Sequence, residues 1–199
     1  MCKVVCVTAK ELCKGDFLQR IRQISDSEVE YIILREKYLS EEEYFALAQN
    51  VLSVCDKSKL IIHSFPDTAV RLGIGKIHLP CIAFNELKVR DKFDVIGTSV
   101  HSVEDAVFAE KNGADYITAG HIFATDCKKG LEGRGTDFLQ RVCDSVTIPV
   151  YAIGGINPDT AEKLKAVKSK SLAGVCVMSL LMQSESTAAE VDRIRKKLR

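Results

Sequence analysis

Eight short apolar runs rich in β-branched residues recur through the chain, and a helical pattern fills each gap between them. The runs are Val4–Thr8, Glu30–Leu34, Leu60–His63, Lys76–Leu79, Val95–Ser99, Tyr116–Ala119, Val150–Ile153 and Ala173–Met178. Most lack strict alternation, as parallel strands covered on both faces do. Between them, Phe17, Arg20, Ile21 and Ile24 recur at helical spacing, and Ser40 with Glu43 forms a capping box ahead of Phe45, Leu47, Ala48 and Leu52. Shorter patterns cover Asp67–Leu72 and Phe84–Val89. Ser102–Lys111, Thr136–Asp144, Pro158–Val167 and Thr187–Leu198 complete the set. At 199 residues each unit takes about 25, the lower bound for a (β/α)8 barrel. The rhythm therefore predicts one α/β domain over residues 1–199, a TIM barrel of minimal size. A doubly wound sheet would want a Gly-rich first turn, and the segment Ala9–Gly15 holds one glycine.

Composition removes other classes. Twenty-eight Lys and Arg against 27 Asp and Glu leave +1, so no global field draws nucleic acid or an anionic membrane. No apolar stretch approaches the roughly 18 residues of a membrane span. The run Val4–Val7 after Met1, Cys2 and Lys3 is too short for a signal peptide. The 8 cysteines form no C-x-x-C pair, which favours reduced thiols and a cytoplasmic protein. Cys6 and Cys176 lie in apolar runs and read as buried small hydrophobes.

Four segments fall at strand ends on the face where barrels carry their sites. Ile153-Gly154-Gly155-Ile156 ends the seventh strand, Gly174 lies in the eighth, and Met178-Ser179 ends it. Glycines let an anion approach backbone N–H groups beside a helix start, so Gly154, Gly155, Gly174, Met178 and Ser179 are the expected phosphate site. Arg35 and Lys37 flank Glu36 after the second strand and are candidates for an anionic substrate. Ser99 is the expected site hydroxyl of Gly97–Ser102, with His101 as structural support. About 16 residues separate the sixth strand from its helix, a length uncommon unless functional. That segment offers His121 as general acid or base, Lys128 as a cation, and Thr125. His63 and His78 also end strands, and with no carboxylate beside them they read as satisfied structural histidines.

Taken together, these segments resemble the thiamine phosphate synthase superfamily of (β/α)8 barrels. Its strand-5 pattern G-x-S-x-H is matched by Gly97, Ser99 and His101, its L-R-E-K by Leu34–Lys37, and its P-V-x-A-I-G-G-I by Pro149–Ile156. The resemblance covers nearly the whole chain. It implies that a synthase would hold Mg²⁺ with an aspartate after strand 3 and another after strand 4. Here Ser64 and Ala83 stand at those places, and Ile33 replaces a glutamine ahead of Leu34. A hard cation wants oxygen ligands, preferably anionic. The segment Gly120–Gly135, with His121 where the synthases have proline, is similar instead to the thiazole tautomerases of the superfamily. That similarity implies aromatisation of a thiazole phosphate carboxylate tautomer, made upstream by a thiazole synthase. His121 would be the acid/base, with no metal and no cofactor. Substrate contacts would come from Arg35, Lys37, Ser99, Thr125, Lys128 and Gly155, with Cys127 a positioning residue. Two alternatives stand beside it: a thiamine phosphate synthase with an altered metal site, and a non-catalytic regulator of the thiamine pathway. Barrels of this family commonly associate, which leaves a homo-oligomer open.

Overall fold

The structure, a computed structural model, describes residues 3–125 and 130–199. Eight parallel strands pair in chain order, and the last closes onto the first through Lys3–Gly174, Val4–Val175, Val5–Cys176 and Cys6–Val177. They are β1 (Lys3–Val7), β2 (Tyr31–Leu34), β3 (Leu60–His63), β4 (Lys76–Pro80), β5 (Val95–Val100), β6 (Tyr116–Gly120), β7 (Val150–Ile153) and β8 (Leu172–Val177). The helices are α1 (Phe17–Ser25), α2 (Glu41–Leu52), α3 (Pro66–Arg71), α4 (Cys81–Glu86), α5 (Val103–Lys111), α6 (Gly135–Ser145), α7 (Pro158–Lys163), α8 (Ser179–Gln183) and α9 (Thr187–Leu198). This is the expected (β/α)8 barrel. No helix of the described residues is long and apolar enough to cross a membrane.

Two cores follow from the alternation of side chains along each strand. Ile32, Leu34, Leu60 and Ile62 point outward and are sealed by Tyr44, Phe84, Leu139 and other helix residues. Val5, Val7, Ile33, Ile61, Tyr116, Tyr151 and Cys176 fill the barrel from within. Cys6 and Cys176 are buried as expected, and burial pushes both thiols far up. The interior has one tight joint. A Cβ on Gly97 would run into the Tyr116 ring, so the glycine makes the space in which Tyr116 lies. Gly97→Ala should cost about 1–3 kcal/mol through overpacking, read as a shift in the urea midpoint. An unchanged midpoint would mean the ring moves freely aside.

The helix layer also enters the sheet. The Tyr44 hydroxyl of α2 donates to the Leu34 carbonyl at 2.5 Å and accepts from the His63 N–H at 3.1 Å. It thus bridges the C-terminal ends of β2 and β3, where these strands stop pairing at Leu34 and Ile62. Other elements begin and end where local chemistry dictates. The Ser40–Glu43 capping box is present ahead of α2, and Asn157 with Thr160 makes a second ahead of α7.

Candidate active site

The inner side chains change character toward the C-terminal mouth of the barrel. Below lie the apolar residues and tyrosines; above them sits a polar floor. His63 and His78 are neighbours across β3 and β4, their rings stacked at 5.8 Å and 25°. His78 Nδ1 meets the Tyr116 hydroxyl at 3.0 Å, and its Nε2 meets Ser99 Oγ at 2.8 Å. Thr118 Oγ1 donates to Ser99 Oγ at 3.1 Å. His63 Nδ1 meets Ser64 Oγ at 2.7 Å. Burial pushes the His63 imidazole down to about 2, helped by His78, Arg35 and Lys37. Burial, then the Arg35 charge, pushes His78 down to about 3. Both rings are therefore neutral at ordinary pH. Their bonded state agrees with the structural reading of these histidines. Their place does not follow from it: they form the centre of the floor, beneath Arg35. The available signal was that both close an apolar run at the same end of neighbouring strands.

Arg35 follows β2, and among the described residues no carboxylate pairs with its guanidinium. Glu36, which the sequence places between two cations, turns elsewhere and is 1% exposed. Its carboxylate accepts from Thr8 Oγ1 at 2.6 Å, from the Lys10 N–H at 3.1 and 3.0 Å, and from the Tyr38 hydroxyl at 3.1 Å. Thr8 Oγ1 in turn accepts the Arg35 N–H at 2.9 Å. The buried carboxylate thus ties the ends of β1 and β2 together and leaves the Arg35 charge to the mouth. Lys37 is exposed beyond it and acts on His63.

The segment after β6 folds back along β7. The Ile122 N–H donates to the Ile153 carbonyl at 2.9 Å and the Phe123 N–H to the Gly154 carbonyl at 3.0 Å. This approach explains the glycine pair directly. Gly154 and Gly155 have φ of +104° and +64°, and a Cβ on Gly154 would lie 2.6 Å from that of His121. One on Gly155 would lie 2.8 Å from Phe123 Cβ. The same segment is zipped to its own far end: the Arg134 N–H donates to the His121 carbonyl at 3.0 Å and the Gly135 N–H to that of Ile122 at 2.9 Å. The His121 ring belongs to this closure. It is 8% exposed, and its Nε2 lies 2.9 Å from the Glu132 carbonyl, an acceptor, so Nε2 carries the hydrogen. Nδ1 is buried with no partner among the described residues. Thr125 is half-buried at the start of the segment; Lys128 and Cys127 fall outside the described residues. His101 supports the structure through its backbone. Its N–H donates to Asp105 Oδ2 at 2.9 Å, and its carbonyl accepts from the Arg134 guanidinium.

Met178 and Ser179 lie at the junction of β8 and α8, on the mouth side. Gly174 does not join them. It pairs with Lys3, the first residue of β1, and a Cβ there would strike the Lys3 backbone oxygen. Met178 lies four residue steps further along the chain, about 13 Å. Its expected phosphate role is therefore corrected: Gly174 lets β8 pass close to β1 near the opposite end of the barrel.

The places expected of a metal site are Ser64 and Ala83. Ser64 sits at φ 68°, a conformation uncommon outside glycine, held by its N–H donating to the His78 carbonyl at 3.1 Å. Ala83 lies on α4. Neither offers a carboxylate, and the Ser64 hydroxyl is already bonded to His63. Among the described residues no three His, Cys, Asp or Glu side chains converge. A divalent cation bound through protein carboxylates does not fit this donor set.

Residues 4–181 match the family described as "Thiamine monophosphate synthase". The chain belongs to that family. It is 31% identical to a thiamine-phosphate synthase of Clostridium tetani over 97% of this chain and 94% of the relative. It is 34% identical to thiamine-phosphate synthase 2 of Streptococcus pneumoniae over 92% and 88%. The solved structure of a thiamine phosphate pyrophosphorylase from Pyrococcus furiosus superposes with a TM-score of 0.81 at 26% identity, covering 98% of this chain and 95% of that one.

These relatives overturn the tautomerase expectation drawn from Gly120–Gly135, and with it the expectation of an isomerase. Synthase names attach to similarity over nearly the whole chain, whereas the tautomerase expectation rests on the segment Gly120–Gly135 and on Ser64 and Ala83 standing where aspartates are expected. Within the family barrel, the His121 ring has a sufficient reason to be present: it closes that segment on itself through Glu132.

Proposed function

We propose that the chain is a transferase that forms thiamine phosphate, joining a pyrimidine carried on a pyrophosphate to a thiazole phosphate. Its relatives are named for that product. The observation that carries the reading is the Arg35 guanidinium, free of carboxylates among the described residues, above a floor of neutral hydrogen-bonding groups. That pairing suits a substrate with an anionic tail and a polar ring.

The bond changes are simple. The thiazole nitrogen gives its lone pair to the methylene carbon of the pyrimidine. The carbon–oxygen bond to pyrophosphate breaks, and its electrons leave with the pyrophosphate. Negative charge grows on the leaving group, so a fixed cation there is worth more in the transition state than in the ground state. In this reading Arg35 and Lys37 meet the pyrophosphate. Ser99, held by His78 and Thr118, presents its hydroxyl to the pyrimidine. The backbone of Gly154 and Gly155, with Met178 and Ser179, receives the thiazole phosphate, Thr125 lines the same approach, and Lys128 is a further candidate cation by its charge alone. His121 positions this wall of the site. A thiazole synthase is the class of enzyme that would supply the acceptor ring.

The test supplies pyrimidine pyrophosphate and thiazole phosphate and follows thiamine phosphate by chromatography. Thiamine phosphate and pyrophosphate should appear in equal amounts. No product, with or without Mg²⁺, would overturn the transferase reading.

A further inference from the structure

We infer that this chain binds its pyrophosphate group through its own cations, with no divalent ion required. The inference rests on the transferase reading and goes beyond it. It begins at the two places where carboxylates would be needed. Ser64 Oγ is neutral and lies 2.7 Å from His63 Nδ1, so a cation there would have to break that bond to gain an uncharged ligand. The Ala83 side chain, a methyl group, has no donor atom. The buried carboxylate near the mouth, Glu36, accepts from a threonine hydroxyl, a backbone N–H and a tyrosine hydroxyl. Releasing it to a metal would strand those donors in the interior.

The electrostatics run the same way. Against Ser64 lies the stacked His63–His78 pair, which brings no negative charge. Arg35 acts on both rings, and Lys37 on His63. A dication there would meet like charge, and among the described residues no cluster of His, Cys, Asp or Glu offsets it. A polyanion meets the opposite field, and a guanidinium can engage two of its oxygens at once. Dicationic charge compensation is thus replaced by side-chain compensation at the same mouth.

Inorganic pyrophosphate is the probe, titrated calorimetrically against the whole protein in EDTA and then in millimolar Mg²⁺. Binding in EDTA should equal that in Mg²⁺ within about threefold, or exceed it, because Mg²⁺ masks the charges that Arg35 reads. A tenfold or greater gain on adding Mg²⁺ would overturn the inference, as would no binding in either buffer. The double variant Ser64→Asp with Ala83→Asp should reverse the behaviour, losing at least tenfold in EDTA and recovering with Mg²⁺. Binding unchanged in both buffers for a folded double variant would show that these positions do not face the ligand, and would also overturn it. Thiamine phosphate formation is followed separately. Mg²⁺-dependent binding together with product formation removes this inference alone. Metal-independent binding without product removes the transferase reading alone.

Discussion

Arg35→Ala should lower the rate of thiamine phosphate formation by about two orders of magnitude or more. Truncating one partner of a close charge pair costs roughly 2–5 kcal/mol, and each 1.4 kcal/mol is tenfold in rate. The loss should fall mainly on kcat, because negative charge builds on the departing pyrophosphate as its bond breaks. The fold should survive. Arg35 is anchored by its backbone N–H to Thr8 Oγ1, and no ion pair among the described residues is lost with the side chain. Arg35→Lys keeps the charge but not the two-pronged geometry, and should recover only part of the rate. Steady-state kinetics of the three proteins decide it. Full activity in Arg35→Ala would place the anionic tail elsewhere in the mouth.

The second large effect is on stability. His63 and His78 are held down to about 2 and about 3, against roughly 6.5 in an unfolded chain. The unfolded state therefore takes up their protons first. Their contribution is complete above about pH 6.5 and is lost as the pH falls from there toward the folded values. Each ring contributes up to about 1.4 kcal/mol per pH unit once the pH is well below 6.5, so the pair together costs about 3 kcal/mol between pH 6.5 and pH 5. Glu43, Asp56, Glu110 and Glu162 are likewise held below their usual values of 4.5 or 3.8, so their contribution is also lost on acidification, but in a more acidic window. Urea unfolding at pH 7.5 and pH 5.0 isolates the imidazoles. Equal stability at the two pH values would mean that the floor admits a proton without unfolding.

The barrel was legible because parallel strands sealed on both faces must be apolar along their whole length, and this chain shows eight such runs. Its missed pieces have specific causes. α8 is one turn of five residues, too short for any period to register. α4 starts at Cys81, ahead of the expected Phe84, because Ile82 on its first turn is 78% exposed and spoils the amphipathic pattern. In the site, the strand-end cation at position 35 could be read directly, since its chemistry is in its side chain. The fate of Glu36 could not. Its neighbours in sequence are cations, but apart from Tyr38 its partners are Thr8 and Lys10 in the turn after β1, 28 and 26 residues away. The histidine floor was hidden for a related reason. Each ring acquires its setting only when β3, β4, β5 and β6 are laid side by side. Gly174 illustrates the opposite case: a glycine in an apolar run before a site loop suggests a ligand's role, but Gly174 lies near the start of the run and its neighbour is the backbone of β1.

The Tyr44 bridge gives one edge of the mouth its own dynamics. An amide inside a barrel ladder exchanges with deuterium when neighbouring strands part, which takes most of the global unfolding free energy. The His63 amide is instead held by a hydroxyl on a helix. Undocking of α2 frees it while the strand pairs beneath stay closed. Its exchange rate therefore follows a local opening, faster than that of an Ile62 amide protected by the ladder. The floor of the mouth is thereby mechanically coupled to the outer layer of helices, and a displacement of α2 would be felt first at the backbone of His63, where β3 ends.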